Sequence, residues 1–492
     1  MIYIHLDSDE FEYDVRSMVK AFYPEAFLYV YCDESKVQQQ NKPEGTPFMS
    51  LDIKISKGEI ILKISEEKQR QVSVPTSLTD RSQRKNDLKR LIYKELSELT
   101  GKVLPWGTLT GIRPTKMMVK ALEEGEHEEE IRQRMKESYL ISEEKLDTGM
   151  EISKRERALL DQLSEEEGYS LYVHIPFCPT TCLYCSFTSF SAKKFEMQMD
   201  AYIDALIREL DYVAEAFRHR KLNTIYFGGG TPTTLSEKQL GKLISFINDN
   251  FEKEHLLEFT VEAGRPDSIT KEKLMVLKES GVTRISINPQ TMHQSTLKLL
   301  GRNHTVEQIV EAYHLARECG HNNINMDIIL GLPNENTDMV EETLKQIADL
   351  KPDSLTVHCL ARKHNARLNL EREKYTELTY ADVTQGMELS EKYAKQMGMR
   401  PYYMYRQKNI AGNQENVGYA VPDKEGIYNI LIMEERQTIV GVGAGAITKL
   451  VHKPGELLER VENVKDITTY LARVEEMVER KRTAFESFGC LR

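Results

Sequence analysis

Residues 171–185 read Leu171-Tyr172-Val173-His174-Ile175-Pro176-Phe177-Cys178-Pro179-Thr180-Thr181-Cys182-Leu183-Tyr184-Cys185. The stretch Leu171–Ile175 is the short apolar and aromatic run of a buried strand, and Pro176 ends it. Three cysteines then fall in the spacing C-x3-C-x2-C. A strand that runs straight into a cysteine-bearing loop places that loop at its carboxyl end, where folds built from βα units carry their chemistry.

Downstream, strand-like runs recur at Thr224–Phe227, Glu258–Glu262, Arg284–Asn288, Asn323–Leu330 and Ser354–Cys359. Amphipathic stretches separate them. In the first, Tyr202, Ile203, Leu206, Ile207, Leu210 and Val213 lay one apolar stripe along a helix. Strands alternating with helices predict an α/β fold with a parallel sheet, here a partial (β/α)6, TIM-like barrel. A full barrel would need two more repeats, but beyond about residue 377 the sequence turns helical, before a β-like stretch at Gly426–Val442.

Upstream, strand-like runs at Phe27–Tyr31, Met49–Ile55 and Glu59–Ile64 precede a charged helix from Arg81. Helical spacing at Ile131, Met135, Leu140 and Leu146 follows. The expected organisation is an N-terminal α+β domain over 1–124, a helical connector over 125–167, the partial barrel over 168–400 and a small C-terminal region over 401–492. The string Trp106-Gly-Thr-Leu-Thr-Gly111-Ile-Arg113-Pro114-Thr-Lys116 reads as a turn-rich joint, and the helix Arg81–Glu95 as a solvated face.

The chain has 492 residues, 40% of them apolar and 29% charged, an ordinary globular composition. A net charge of -11 disfavours a nucleic-acid partner, which needs clustered cations. Met1–Asp9 holds no charged-then-apolar leader, and no apolar run approaches the ~18 residues of a membrane span, so the expected location is cytoplasmic. The seven cysteines, at 32, 178, 182, 185, 319, 359 and 490, do not form an even disulfide set. Crowding at 178–185 points to a metal or a cluster. Three thiolates suit a cubane with one open iron, whereas a structural zinc would need a fourth ligand such as His174 or Cys359.

The run Tyr172–Cys185 resembles the radical S-adenosylmethionine superfamily, and within it the oxygen-independent coproporphyrinogen III dehydrogenases and their relatives. The resemblance implies a [4Fe–4S] cluster on Cys178, Cys182 and Cys185, with S-adenosylmethionine bound to the open iron. It also implies cofactor contacts, residue by residue. Gly228-Gly229-Gly230-Thr231-Pro232 is similar to the glycine motif at the methionine end of the cofactor, which assigns Gly229, Gly230 and Thr231 there. Glu262, at a strand end, matches an acid that contacts the cofactor. Gln290 and Arg302 have the spacing of two cofactor-binding residues, and an Arg fork suits a carboxylate. Asp327 lies in Asn325-Met-Asp-Ile-Ile-Leu-Gly331-Leu-Pro333, an apolar strand in which a carboxylate needs a polar neighbour. Tyr172 and Tyr184 match positions flanking the cofactor, and Ile329, with Leu330, would line the cavity. His174, His358 and Cys359 are further candidates by position.

The sequence departs from that family at two points. Phe187 stands where the characterised dehydrogenases carry a further cysteine, and 164–170 does not reproduce their Tyr-rich arm. Three functions therefore stay open: oxidative decarboxylation of coproporphyrinogen III, haem binding or delivery, and another radical reaction on a tetrapyrrole. The implied partners are a tetrapyrrole substrate or haem, and an electron donor such as flavodoxin or ferredoxin. A four-carboxylate substrate calls for cations, for which Arg362, Lys363, Arg367 and Arg406 are candidates.

Overall fold

Two compact units divide the chain, residues 1–153 and 154–492. This computed structural model describes all residues except 33–44, 57, 67, 164–166, 188, 362, 364, 376–377, 380–382, 408–409, 411–413, 454–456 and 489–492. Arg362, Cys490 and part of the 164–170 segment therefore lie outside the described residues.

The first unit is a five-stranded sheet with helices. Leu28–Cys32, Met49–Ser56 and Glu59–Ser65 fall where the alternation predicts strands, and Ile2–Leu6 and Gln69–Pro75 complete the sheet. Gln69–Pro75 is a largely exposed edge whose alternation is confined to Val72 and Val74, too short a signal to predict a strand, and its pairing with Glu59–Ser65 reveals it. The helix Glu12–Phe22 buries Val15, Met18, Val19 and Phe22, which recur at helical spacing. In the 106–116 string, Trp106 is fully buried and the Thr108 amide donates to the Tyr139 carbonyl at 2.7 Å. Gly107 has φ +53°, and a Cβ there would stand 2.0 Å from the same carbonyl, so no other residue fits this joint.

In the second unit the strands are β1 (Gly168–Ile175), β2 (Lys221–Gly229), β3 (Glu258–Glu262), β4 (Arg284–Ser286), β5 (Ile324–Leu330), β6 (Ser354–Cys359), β7 (Arg400–Tyr405), β8 (Asn416–Ala420), β9 (Thr438–Val442), β10 (Ile447–Lys453) and β11 (Leu457–Glu462). Strands β1 to β6 pair in sequence order, all parallel. Helices α1 (Met199–Ala216), α2 (Glu237–Asn250), α3 (Lys271–Glu279), α4 (Val306–Glu318) and α5 (Thr337–Leu350) lie on the connections between them. This is the α/β alternation the sequence predicts. The α1 stripe is buried at Tyr202, Ile203, Leu206, Leu210 and Val213, and α2 and α4 start at capping boxes built on Ser236 and Thr305.

The row extends at both ends into one eleven-stranded sheet, β7-β8-β6-β5-β4-β3-β2-β1-β9-β10-β11. Strand β9 lies parallel to β1, while β8 is antiparallel to β6 and to β7. The carboxyl end of β7 therefore emerges at the same edge as those of β1 to β6. The β-like reading of Gly426–Val442 needs correction in its first half, because Ile427–Glu434 is a helix, α6, and only Thr438–Val442 is a strand. A short apolar run cannot announce its period. The Glu258 carboxylate, reached only through the fold, accepts from the Ile427 and Tyr428 amides and caps that helix.

Candidate active site

Beyond β1 the chain makes the two-residue pairing Phe177–Cys178 with Phe190–Ser191, so that Cys178 lies in the pairing and Cys182 and Cys185 on the loop it encloses. Leu183, between the second and third, anchors it. Its side chain is buried with Leu300, Ile329, Leu332, Leu360 and Leu368; its amide donates to the Leu300 carbonyl, and its own carbonyl accepts from the Leu368 amide. The cysteines themselves remain partly exposed. Thr231 donates to the Cys178 sulfur at 3.7 Å, and Arg265 to the Cys182 sulfur at 3.8 Å. The same guanidinium holds Thr180 and is itself held by Asp267.

Burial raises the Cys178 thiol, against the hydrogen bond from Thr231, and the charge of Cys182 adds to the rise. Cys185 is pushed up to about 11, by burial first and then, against the Phe187 amide, by the charges of the other two cysteines. Three thiolates that repel one another in a half-buried loop need a cationic counterpart, and cluster irons supply one. Among the described residues no group of three His, Cys, Asp or Glu side chains could hold a single metal ion. A cubane differs in taking each thiolate on a separate iron. Cys359, the potential fourth zinc ligand, is buried, with its sulfur 3.7 Å from the Met387 thioether.

The glycines at the end of β2 are required by this loop. A Cβ on Gly230 would meet the Phe177 carbonyl at 2.5 Å, and one on Gly229, where φ is +105°, would meet the His174 ring at 2.6 Å. The Gly230 and Thr231 amides donate to the Ile175 and Phe177 carbonyls, so the run clamps the start of the cysteine loop.

Inside the row of strands, Tyr172 stacks on Tyr226 and Tyr428, and its hydroxyl lies 3.1 Å from His174 Nδ1. Tyr226 donates to Glu262 Oε1 at 2.6 Å. Burial, with the Asp327 charge adding to it against the Tyr226 hydrogen bond, pushes Glu262 up to about 7. Asp327 goes the other way. Burial would raise it, but the His358 imidazole, 3.7 Å away, and the Asn325 amide hold it below the ordinary carboxylate range. Tyr405 hydrogen-bonds the other nitrogen of His358 at 3.3 Å. Two carboxylates of one site are thus driven apart in acidity, the pattern of acid–base assignments.

A pH dependence follows. The native Glu262 keeps a proton that the unfolded chain, with an ordinary value of 4.5, has already released, so its stabilising contribution is complete below about pH 4.5 and is lost as pH rises through about 7. The Glu262→Gln variant is expected to lose less stability than the parent between about pH 5 and about pH 8, as read from urea midpoints. Equal losses in both proteins would refute the assignment.

Gln290 sits at φ +69°, a conformation that non-glycine residues rarely adopt. Its amide donates to the Asp327 carbonyl and its carbonyl accepts from the Ile329 amide, which ties the loop after β4 to β5. Arg302 is buried and bonds the Gly264 and Asn288 carbonyls and the Tyr184 hydroxyl. Gln290 Oε1, Asn288 Oδ1, Ser286 Oγ and Arg302 Nε are buried without hydrogen-bond partners among the described residues. Such a group of orphans calls for a polar ligand. The structure therefore brings the cysteines and the cofactor candidates to the carboxyl-end half of β1 to β6 or the loops that follow, while Arg406 follows β7 and Arg362 lies outside the described residues. Sequence reading missed Arg265, Tyr226, Asn288, Tyr405 and Tyr428. Arg265 carried one signal, the turn Gly264-Arg265-Pro266-Asp267 directly after β3; the others are ordinary strand or helix residues until the fold assembles them.

A family model described as the Radical SAM superfamily matches residues 172–347. The chain is also 41% identical over 401 residues, 81% of its length and 80% of the relative's, to the Bacillus subtilis (strain 168) oxygen-independent coproporphyrinogen-III oxidase-like protein HemZ. The chain belongs to the radical SAM superfamily, in the family of HemZ and its relatives. Another relative is the heme chaperone HemW of Lactococcus lactis subsp. lactis (strain IL1403), 34% identical over 56% of this chain and 68% of that protein. The solved structure of Escherichia coli coproporphyrinogen III oxidase, HemN, described as a radical SAM enzyme, superposes with a TM-score of 0.53 at 26% identity, covering 65% of this chain and 73% of that one. As in other radical SAM proteins, the cofactors are a [4Fe–4S] cluster and S-adenosylmethionine. No helix among the described residues is long and apolar enough to cross a membrane.

Proposed function

We propose that this radical SAM protein oxidatively decarboxylates coproporphyrinogen III to protoporphyrinogen IX: two of the four propionates each lose a β-carbon hydrogen atom to the 5′-deoxyadenosyl radical, then carbon dioxide and one electron, which a final electron acceptor takes up, to leave a vinyl group. The 41% identity to HemZ over most of both chains is the observation that carries this reading. Cys178, Cys182 and Cys185 hold the cluster. When bound and reduced, the cluster supplies the electron that cleaves S-adenosylmethionine to a 5′-deoxyadenosyl radical.

The chain's own residues supply position. Arg302, Gln290, Asn288 and Ser286 offer the unpaired polar atoms that an amino-acid and nucleoside ligand needs. Glu262 and Asp327 offer carboxylates to the hydroxyls of the ligand, one as the better proton holder and one as a fixed anion. Tyr172 and Tyr184 flank the ligand with aromatic surface, Ile329 closes the apolar side, and Gly229, Gly230 and Thr231 hold the cysteine loop beside it. The electron comes from a small carrier such as flavodoxin or ferredoxin, in the cytoplasm.

The 34% identity to HemW supports a second reading, haem binding by the same cluster-bearing fold. Anaerobic reconstitution with iron and sulfide, followed by assay of 5′-deoxyadenosine with and without coproporphyrinogen III, separates the two. Deoxyadenosine that rises with substrate, together with vinyl product, is expected. Cleavage indifferent to the porphyrinogen, with haem bound by the parent and lost in Cys178→Ala, would favour the second reading.

A further inference from the structure

In a chain with 77 acidic and 66 basic residues, positions 360–370 read Leu-Ala-Arg-Lys-His-Asn-Ala-Arg-Leu-Asn-Leu and contain no carboxylate. The segment follows β6 and is held at both ends. The Leu360 amide donates to the Leu330 carbonyl at 2.9 Å, Ala361 bridges to Ile410 in the β7–β8 connection, and the Leu368 amide donates to the carbonyl of Leu183, between two of the cluster cysteines. It therefore runs from the carboxyl edge of β6, where His358 stands, to the cysteine loop.

The structure distinguishes its cations. Arg367 is half-exposed and paired with Glu371 at 3.3 Å. Arg406, at the end of β7, is buried, donates to the Gln414 carbonyl and is held down to about 10 by burial, with Glu415 beside it opposing the shift. Lys363 differs from both. It is half-buried, its ammonium has no hydrogen bond or ion pair among the described residues, and burial alone lowers its pKa. Among the described residues nothing compensates the desolvation of this ammonium, on the segment that leads from β6 to the cysteine loop, and an anion from outside would do so.

We propose that Lys363 receives a propionate carboxylate of the tetrapyrrole, an assignment that rests on the function proposed above and names the group that recognises the substrate's charge. A carboxylate is the fitting anion because a lysine acts as a point charge that tolerates the varied approach of a flexible propionate arm.

Equilibrium binding of coproporphyrin III to the reconstituted full-length protein, followed by fluorescence, tests it. Lys363→Ala is expected to bind at least about tenfold more weakly, Lys363→Arg to regain most of the loss, and coproporphyrin III tetramethyl ester to bind parent and Lys363→Ala alike. Lys363→Met, which keeps the stem, with an unchanged melting temperature, guards against a folding defect. Parental affinity in both Lys363→Ala and Lys363→Met would overturn the assignment while leaving the proposed function standing. A parent protein that binds no coproporphyrin III would sink both.

Discussion

Cys182→Ala is expected to leave protein that cannot retain its cluster after anaerobic reconstitution, with reductive cleavage of S-adenosylmethionine reduced to background. The three thiols share one short loop, held by Leu183 in the apolar cluster and by Thr231 and Arg265 at two of the sulfurs. Without the middle thiolate, one more iron loses its protein ligand, and Arg265 loses the sulfur toward which it donates. The two remaining thiols, which burial holds toward the neutral form, are then poor ligands. Iron and acid-labile sulfide per chain, with deoxyadenosine formation, provide the measurement. Cys319→Ala, at the buried end of α4, is expected to keep both. Full iron content in Cys182→Ala would show that the cluster is held elsewhere.

The largest effect on stability is expected at Lys481. Its ammonium and the Glu209 carboxylate form a fully buried ion pair at 2.5 Å. Glu209 also accepts from Asn463, the Gly443 amide and Tyr470, and Lys481 donates to Asn463. One acid on α1 thus binds together the loops after β9 and β11 and the two C-terminal helices, Ile467–Ala472 and Val474–Phe488. Removing one charge strands the other without solvent, at a cost of about 3–5 kcal/mol, whereas exchanging both for neutral groups of similar volume costs far less. Lys481→Met should therefore shift the urea midpoint downward by that equivalent, and the Glu209→Gln, Lys481→Met double variant should recover much of it. Additive losses in the double variant would contradict the argument. The network also reaches the site. Tyr202 donates to the His174 carbonyl and accepts from the Ala444 amide, and a Cβ on Gly443 would meet that carbonyl at 2.6 Å. Lys481→Met is accordingly expected to retain less cluster as well.

Much of the parallel α/β sheet was legible because its signals are local. Strands β3 and β6 have the bounds their apolar runs predict, and the α1 stripe is buried along the length read from its spacing. Cysteine spacing likewise carries its chemistry within eight residues. The acid–base character of Glu262 and Asp327 was not legible, since each depends on groups from other strands: Tyr226 on one side, His358 and Asn325 on the other. The same limit applied to the cations after β6, which look equivalent as a string and differ only in what they touch.

By itself the sequence determined the alternation of strands and helices, the thiol-rich loop at the mouth of β1 and the glycines that end β2, because period, spacing and the absence of a Cβ are properties of neighbouring residues. Tertiary structure alone decided that β9 lies against β1 and β8 against β6, that the apolar run Ile427–Glu434 is a helix capped by Glu258, and that Glu209 and Lys481 meet. Each of those outcomes turns on the desolvation of a polar group or strand edge whose compensating neighbour lies far away along the chain, so the energy that selects it exists only once the sheet has formed.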